Sequence, residues 1–290
     1  MASTARLIGV RRVVLLTIGL AGIWAAWELG LRPGDLVPAD GGVTLMGRFF
    51  AGAVEPAMTY EADFVPEGTQ PLIWKATRAA ATTVVFAAAA TSISLVLGLV
   101  LGILASTSWW MDNPVDKSST ARALFRRIIA PAVYASTRVL IALARSIHEL
   151  IWAVLFLCAM GLTNLAAVIA IVIPYAGTFA KIFSEIIDEA PRDTAIALRG
   201  GGASTTQVFL FGLLPRALPD LSAYAFYRFE CALRSSAVLG FFGIPTLGYF
   251  IQLSFHNTHY REVWTYLYTL LILIVTMDWW SGALRRRISA

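Results

Sequence analysis

Charged side chains are scarce in this chain: Asp, Glu, Lys and Arg make up 14% of its 290 residues, against roughly a quarter in soluble domains. Lysine is rarer still. Lys75, Lys117 and Lys181 follow Trp74, Asp116 and Ala180, so none can be the lysine of a G-x-x-x-x-G-K-[ST] loop, whose backbone N–H groups cradle nucleotide phosphates. There are two cysteines, Cys158 and Cys231. Both fall in apolar stretches and read as small apolar thiols rather than a disulfide or metal ligands. Histidine is equally sparse. The run His148-Glu149-Leu150-Ile151-Trp152 begins like a zinc-binding helix but lacks the second His one turn on, and His256 with His259 reads as polar surface. No serine sits in a nucleophile elbow. The sequence therefore offers no catalytic constellation and no metal site, and no cofactor is expected in this chain.

What it has instead is length in apolar runs. Hydrophobic residues are 58% of the chain and the mean hydropathy is +0.69. Several runs approach the roughly 20 residues that cross a bilayer as a helix. Backbone facing lipid must satisfy its own hydrogen bonds, which leaves helices or a closed barrel. Runs such as Val84 to Ala105 lack the apolar/polar alternation of a barrel strand. The expected fold class is all-α integral membrane, a polytopic bundle of about six helices at 13–31, 79–105, 137–161, 164–186, 217–242 and 263–283. The stretch 128–143, with Pro131 and Arg138, is read as leading into the third span rather than as a span of its own.

Basic residues set the orientation. Arg6, Arg11 and Arg12, then Lys117, Arg122, Arg126 and Arg127, then Arg192, Arg199 and Arg216, and finally Arg285, Arg286 and Arg287 fall on one side of the six spans. Only Arg32, Arg48, Lys75 and Arg261 fall on the other. Both termini of this multi-pass chain are thus expected in the cytoplasm. The basic N-terminus before Val13 to Trp27 has the outline of a signal peptide, but no clean small-x-small site follows and an uncleaved first helix is preferred. Residues 1–78 are expected to form one part, a first helix and an acidic outer loop with a short helix near Leu45 to Gly52. Residues 79–290 are expected to form the core.

The most informative polar stretch lies within 187–216. Pro191 suits a first helical turn, Gly200 to Gly202 stop that helix, and Ser204 with Gln207 has the form of a capping box opening the next one. This predicts a helix, sharp turn, helix unit on the cytoplasmic face. The order Ile196-Ala197-Leu198, then Gly202, then Leu214-Pro215 resembles the EAA loop of ABC importer permeases: E-A-A, three residues, G, nine residues, I, one residue, L-P. Ile196 stands for the motif Glu, Leu198 for its second Ala and Gly212 for its Ile. The stretches Arg145 to Ala153, Tyr227 to Glu230 and Arg234 to Gly240 are similar to the phosphonate and phosphite branch of these permeases, with His148 where that branch commonly has Pro.

The resemblance, which covers about Trp74 to Arg287, implies a MetI-like core of the type I importer architecture that does no covalent chemistry itself. It implies a coupling role for Ala197, Leu198, Gly201, Gly202, Leu214 and Pro215. It also implies a dimer of cytoplasmic ABC ATPase subunits that bind ATP and Mg, a second permease chain (the same chain or a close paralogue), and an external solute-binding protein of the phosphonate type. The lipid bilayer, which the resemblance implies to be a bacterial cytoplasmic membrane, is the remaining partner, and no nucleic acid is expected. The cargo implied is phosphonate or a related phosphorus oxyanion. A permease for methionine or an organic sulfonate, a passive anion channel lined by Arg145 and Arg228, and a membrane enzyme using His148 and Glu149 are the alternatives.

Ionisable residues inside spans are expensive and should face protein or water. Arg145 with Glu149, and Glu230 with Arg234, are each four apart and are expected to pair on one helix face, while Arg228 points elsewhere. These five either lock spans together or line a path for an anion, which guanidinium suits through its planar fork of donors. Gly240, Gly243 and Gly248 with Pro245 are expected to interrupt the end of the fifth span, as a re-entrant or gate segment or simply a tight loop.

Overall fold

The computed structural model describes residues 2–110 and 128–288. The loop charges Lys117, Arg122, Arg126 and Arg127 used for orientation lie outside the described residues. Among the described residues every regular element is helical. The chain divides into a unit through Ala51 and a larger one from Gly52 onward.

In the first unit, α1 (Ala2–Glu28) is followed by a 3-10 turn at Pro33–Leu36. The Asp35 carboxylate closes that turn by accepting from the Arg32 amide at 2.8 Å. From Val13 to Trp27 the apolar side chains of α1 point outward all round, Trp27 being 84% exposed. A helix apolar on every side is suited to lipid rather than to water. α2 (Gly42–Val54) contains the short helix expected near Leu45 to Gly52.

The larger unit is built around α3 (Leu72–Ala105) and α6 (Asn164–Glu189). The face that α3 buries is made of small residues, including Ala76, Ala80, Ala87, Ala90, Ser94, Gly98 and Gly102. Small side chains let helices approach closely where lipid removes the usual hydrophobic drive for association. The closeness is measurable: a Cβ on Gly98 would lie 2.3 Å from Phe179 Cβ. Thr163 starts α6, its hydroxyl accepting from the Ala166 amide at 3.2 Å. α6 is the central helix, with more than half of its apolar stretch buried, whereas the apolar stretch of the peripheral α11 (Tyr260–Ile288) is almost all outside the core.

The third span is not one helix. α4 (Ala130–Ser146) and α5 (Glu149–Met160) meet at 87°, which corrects both the continuous 137–161 span and the reading of 128–143 as mere lead-in. The reason is local. Ile147 and His148 adopt extended backbone, and the His148 imidazole Nδ1 accepts from the Leu150 amide at 3.3 Å, capping α5, which then opens on Glu149.

Beyond α6 come α7 (Asp193–Gly200), the single turn α8 (Thr205–Val208), a π-type turn at Phe209–Leu213 and α9 (Leu214–Val238). A 3-10 turn at Leu239–Phe242 leads to α10 (Leu247–His256), which stands at 45° to the preceding helix. Among the described residues, three helices are long and apolar enough to cross a membrane, or up to five when each bent pair counts as one span. This is compatible with the six expected spans.

Candidate coupling loop and polar network

The polar loop folds as a helix, turn, helix. α7 begins at Asp193 with Arg192 at its cap, so Pro191 precedes the helix instead of opening its first turn. Its far end is closed by backbone bonds from the Gly201 amide to Ala197 O (3.1 Å), the Gly202 amide to Arg199 O (2.9 Å) and the Ala203 amide to Leu198 O (3.1 Å). Gly202 sits at φ +85°, a backbone state that L side chains resist. Ser204 then caps α8 in the expected box, its hydroxyl accepting from the Gln207 amide while Gln207 Oε1 accepts from the Ser204 amide at 2.8 Å.

One side of this unit is buried and the other is bare. Ala195, Val208, Phe209 and Leu213 join Phe179, Phe183 and Ile187 of α6 in a single apolar cluster. Asp188, at the end of α6, ties in the end of α3: it accepts from Ser106 Oγ (2.6 Å) and from the amides of Thr107 (3.0 Å) and Ser108 (2.9 Å). The outer side presents Ile196 and Phe211, 66% and 70% exposed.

Leu198 and Gly212 fit one another. A Cβ on Gly212 would lie 3.2 Å from Leu198 Cδ1 and 3.2 Å from Ala195 Cα. The larger side chain at 198 therefore occupies space that a side chain at 212 would need.

The intramembrane charges pair differently from expectation. The break at Ile147 and His148 takes Glu149 off the helix that carries Arg145, so no Arg145–Glu149 pair forms. Glu149 Oε1 instead accepts from Ser235 Oγ at 3.0 Å, and the Tyr175 hydroxyl lies 3.0 Å from that same Oγ. The arrangement is a chain from α6 through α9 to α5 in which Tyr175 donates to Ser235 and Ser235 to Glu149. His148 Nε2 stands 3.4 Å from Glu149 Oε2. The Arg228 guanidinium stacks 4.0 Å above the Tyr175 ring centre, a cation–π contact, and its buried Nε has no hydrogen-bond partner.

Glu230 and Arg234 share a continuous helix yet do not pair. Glu230 Oε1 faces Arg285 Nη2 of α11 at 3.5 Å, while Arg234 reaches Cys231 Sγ at 3.6 Å. Arg145 and Arg234 are exposed on the single chain. Sequence reasoning missed Tyr175, Ser235 and Arg285 as partners. A tyrosine directly after Pro174 in an otherwise apolar span was a signal for the first, whereas only the packing of α11 on α9 could reveal the last.

At the end of the fifth span the chain loops so that α10 starts against the last turns of α9. A Cβ on Gly240 would lie 2.0 Å from the Tyr249 amide nitrogen. Thr246 Oγ1 donates to Ala237 O (3.1 Å) and Thr83 Oγ1 accepts from the Leu247 amide (3.2 Å), tying the loop to α3.

Residues 118–290 match the family of binding-protein-dependent transport system inner membrane components. The chain belongs to that family. As a member, it is similar to the phosphite transport system permease protein PtxC of Stutzerimonas stutzeri, 33% identical over 156 residues, which is 54% of this chain and 57% of that protein. It is also similar to the phosphate-import permease protein PhnE of Mycolicibacterium smegmatis, 27% identical over 210 residues, 72% of this chain and 36% of that protein. The chain thus spans about half the length, or less, of these curated relatives. Its fold is that of a chain of the MetNI methionine ABC transporter solved in inward-facing conformations, with a TM-score of 0.60 at 23% identity over 76% of this chain and 99% of that one. A chain of an amino acid ABC transporter shares it less closely, at a TM-score of 0.55 and 15% identity over 87% of this chain and 99% of that one. This fold is the MetI-like core that the family resemblance implied.

Proposed function

We propose that this chain is the permease subunit of an ABC importer for phosphonate or a related phosphorus oxyanion such as phosphite. A separate ATPase dimer drives it, a second permease chain pairs with it and an external binding protein feeds it. The observation that carries the coupling role is the two-sided loop. Its buried side shares one apolar cluster with α6, and its outer side offers Ile196 and Phe211 to a partner. A short helix anchored in this way moves as a rigid piece, so a push from the ATPase reaches α6 and α9 together. In this reading Ala197, Leu198, Gly201, Gly202, Leu214 and Pro215 build the docking unit, and an apolar Ile196 replaces whatever polar contact the motif Glu makes elsewhere. ATP and Mg are bound by the partner and none by this chain.

The cargo reading is supported by the relatives named for phosphite and phosphate. Arg145, Arg228 and Arg234, with Glu149 and Glu230, are the intramembrane charges that either brace the assembly or border its path. The exposure of Arg145 and Arg234 on a single chain favours a neighbouring chain or water beside them. The test is co-purification with the partner ATPase, together with the stimulation of its ATP hydrolysis by a phosphite-loaded binding protein. Gly202→Leu should leave the chain inserted and remove both. Unchanged docking and stimulation in that variant would overturn the coupling role.

A further inference from the structure

At the end of the bundle opposite the coupling loop, a cavity of about 430 Å³ opens beside the first turns of α3. Lys75 and Arg78 both line it and stand three apart on one helix face. The Lys75 ammonium is held over two rings, 5.3 Å from the centre of Tyr60 and 4.8 Å from that of Phe250. No carboxylate lines the cavity, and neither cation forms an ion pair with the described residues. Two like charges one turn apart destabilise a helix unless something neutralises them. Burial, and secondarily the charge of Glu262, pushes the Tyr60 phenol above its ordinary range, so it adds no negative charge there. Its hydroxyl donates to Gln70 O at 2.8 Å. The free donors are therefore the Lys75 ammonium, the Arg78 fork and the Gln70 amide.

A second cavity of about 550 Å³ shares Arg78, Thr82 and Pro245 with the first and continues to Asn164 at the start of α6. Pro245 belongs to the loop between α9 and α10, and Phe250 to α10 itself. The cationic pair thus sits at the junction of two spaces that the α9–α10 segment borders through Pro245 and Phe250.

We propose that Lys75 and Arg78 form a binding site for a small soluble tetrahedral phosphorus oxyanion at the outer mouth of the permease, receiving it before the α9–α10 segment moves. The proposal rests on the cargo reading above and adds a residence site within this chain. Arg78 supplies paired N–H donors to two oxygens, and Lys75 a compact charge to a third. The cavity has room for such an ion with part of its water.

The test is calorimetric titration of the full chain with its ATPase, in nanodiscs of zwitterionic phosphatidylcholine, with sodium phosphite and separately with methylphosphonate. Saturable binding is expected, weakened about tenfold or more in Lys75→Gln/Arg78→Gln, since two charge-assisted contacts are lost. If the double variant unfolds, Arg78→Gln, whose side chain is exposed, must still weaken binding. Absent binding to the wild type, or equal binding by the variants, overturns the site. The titration is repeated with phosphatidylglycerol in the disc. Unchanged phosphite affinity supports a solute site, whereas binding abolished by that lipid shows that a headgroup phosphate occupies it and overturns the proposal. Uptake of phosphite by the reconstituted importer, measured in parallel, judges the cargo reading separately: a wild type that transports but does not bind refutes the site alone.

Discussion

At the scale of single residues, two departures from the loop pattern explain each other. Leu198 is larger than the Ala it stands for and Gly212 smaller than the Ile, and the two positions touch. Gly212→Ile is predicted to destabilise the chain by about 1–3 kcal/mol through overpacking. Leu198→Ala/Gly212→Ile should recover part of that loss but not all, because Ala195 Cα also crowds the site at 3.2 Å. A double-mutant cycle read by thermal unfolding in detergent measures the coupling, and strictly additive losses would contradict the account. The Tyr175 hydroxyl makes a second case. Tyr175→Phe keeps the ring beneath Arg228 and loses the bond to Ser235, at a cost of about 1 kcal/mol. Tyr175→Leu loses the cation–π contact as well and should cost clearly more. Equal losses in the two variants would show that the ring contact contributes nothing. Neither partnership was legible beforehand, because spacing along one helix shows which side chains share its face but not what the neighbouring helix brings opposite.

At the scale of elements, what the sequence made visible depended on whether the determining signal was local. The capping box of Ser204 with Gln207 and the stop at Gly202 both act within one segment, and each appears where its residues predict. The break between α4 and α5 also has a local cause, but one disguised by hydropathy. The stretch 137–161 is apolar enough to read as one span, and a histidine is an uncommon cap. Where the resembling branch has Pro, the preceding residue would equally be held extended and the helix before it stopped. His148→Pro is therefore predicted to keep the bend, while His148→Ala removes the cap at a cost of about 1 kcal/mol or less. Thermal unfolding of the two variants checks this, and an Ala variant as stable as wild type would deny the cap its role. Helix order also makes a topological prediction. With Cys158 and Cys231 replaced, single cysteines at Ser204 and at Thr258 should react with a membrane-impermeant reagent from opposite faces, and labelling of both from one face would contradict the helix order.

At the scale of the whole molecule, the chain is a member of the family of binding-protein-dependent transport system inner membrane components, and its described surface carries different features at its two ends. Apolar side chains cover the helix sides, the two-sided helix, turn, helix unit lies at one end, and at the other a cationic cavity lies beside the α9–α10 loop. Under the proposed function, that division leaves energy to a partner ATPase and passage to this chain. The central claim is tested most directly by uptake of phosphite into vesicles holding the chain, its ATPase and the external binding protein, compared with and without ATP. The account predicts accumulation that requires both ATP and the binding protein and is not matched by methionine. Phosphite entry that is equal without ATP, or ATP-driven accumulation of methionine but not of phosphite or methylphosphonate, would contradict it.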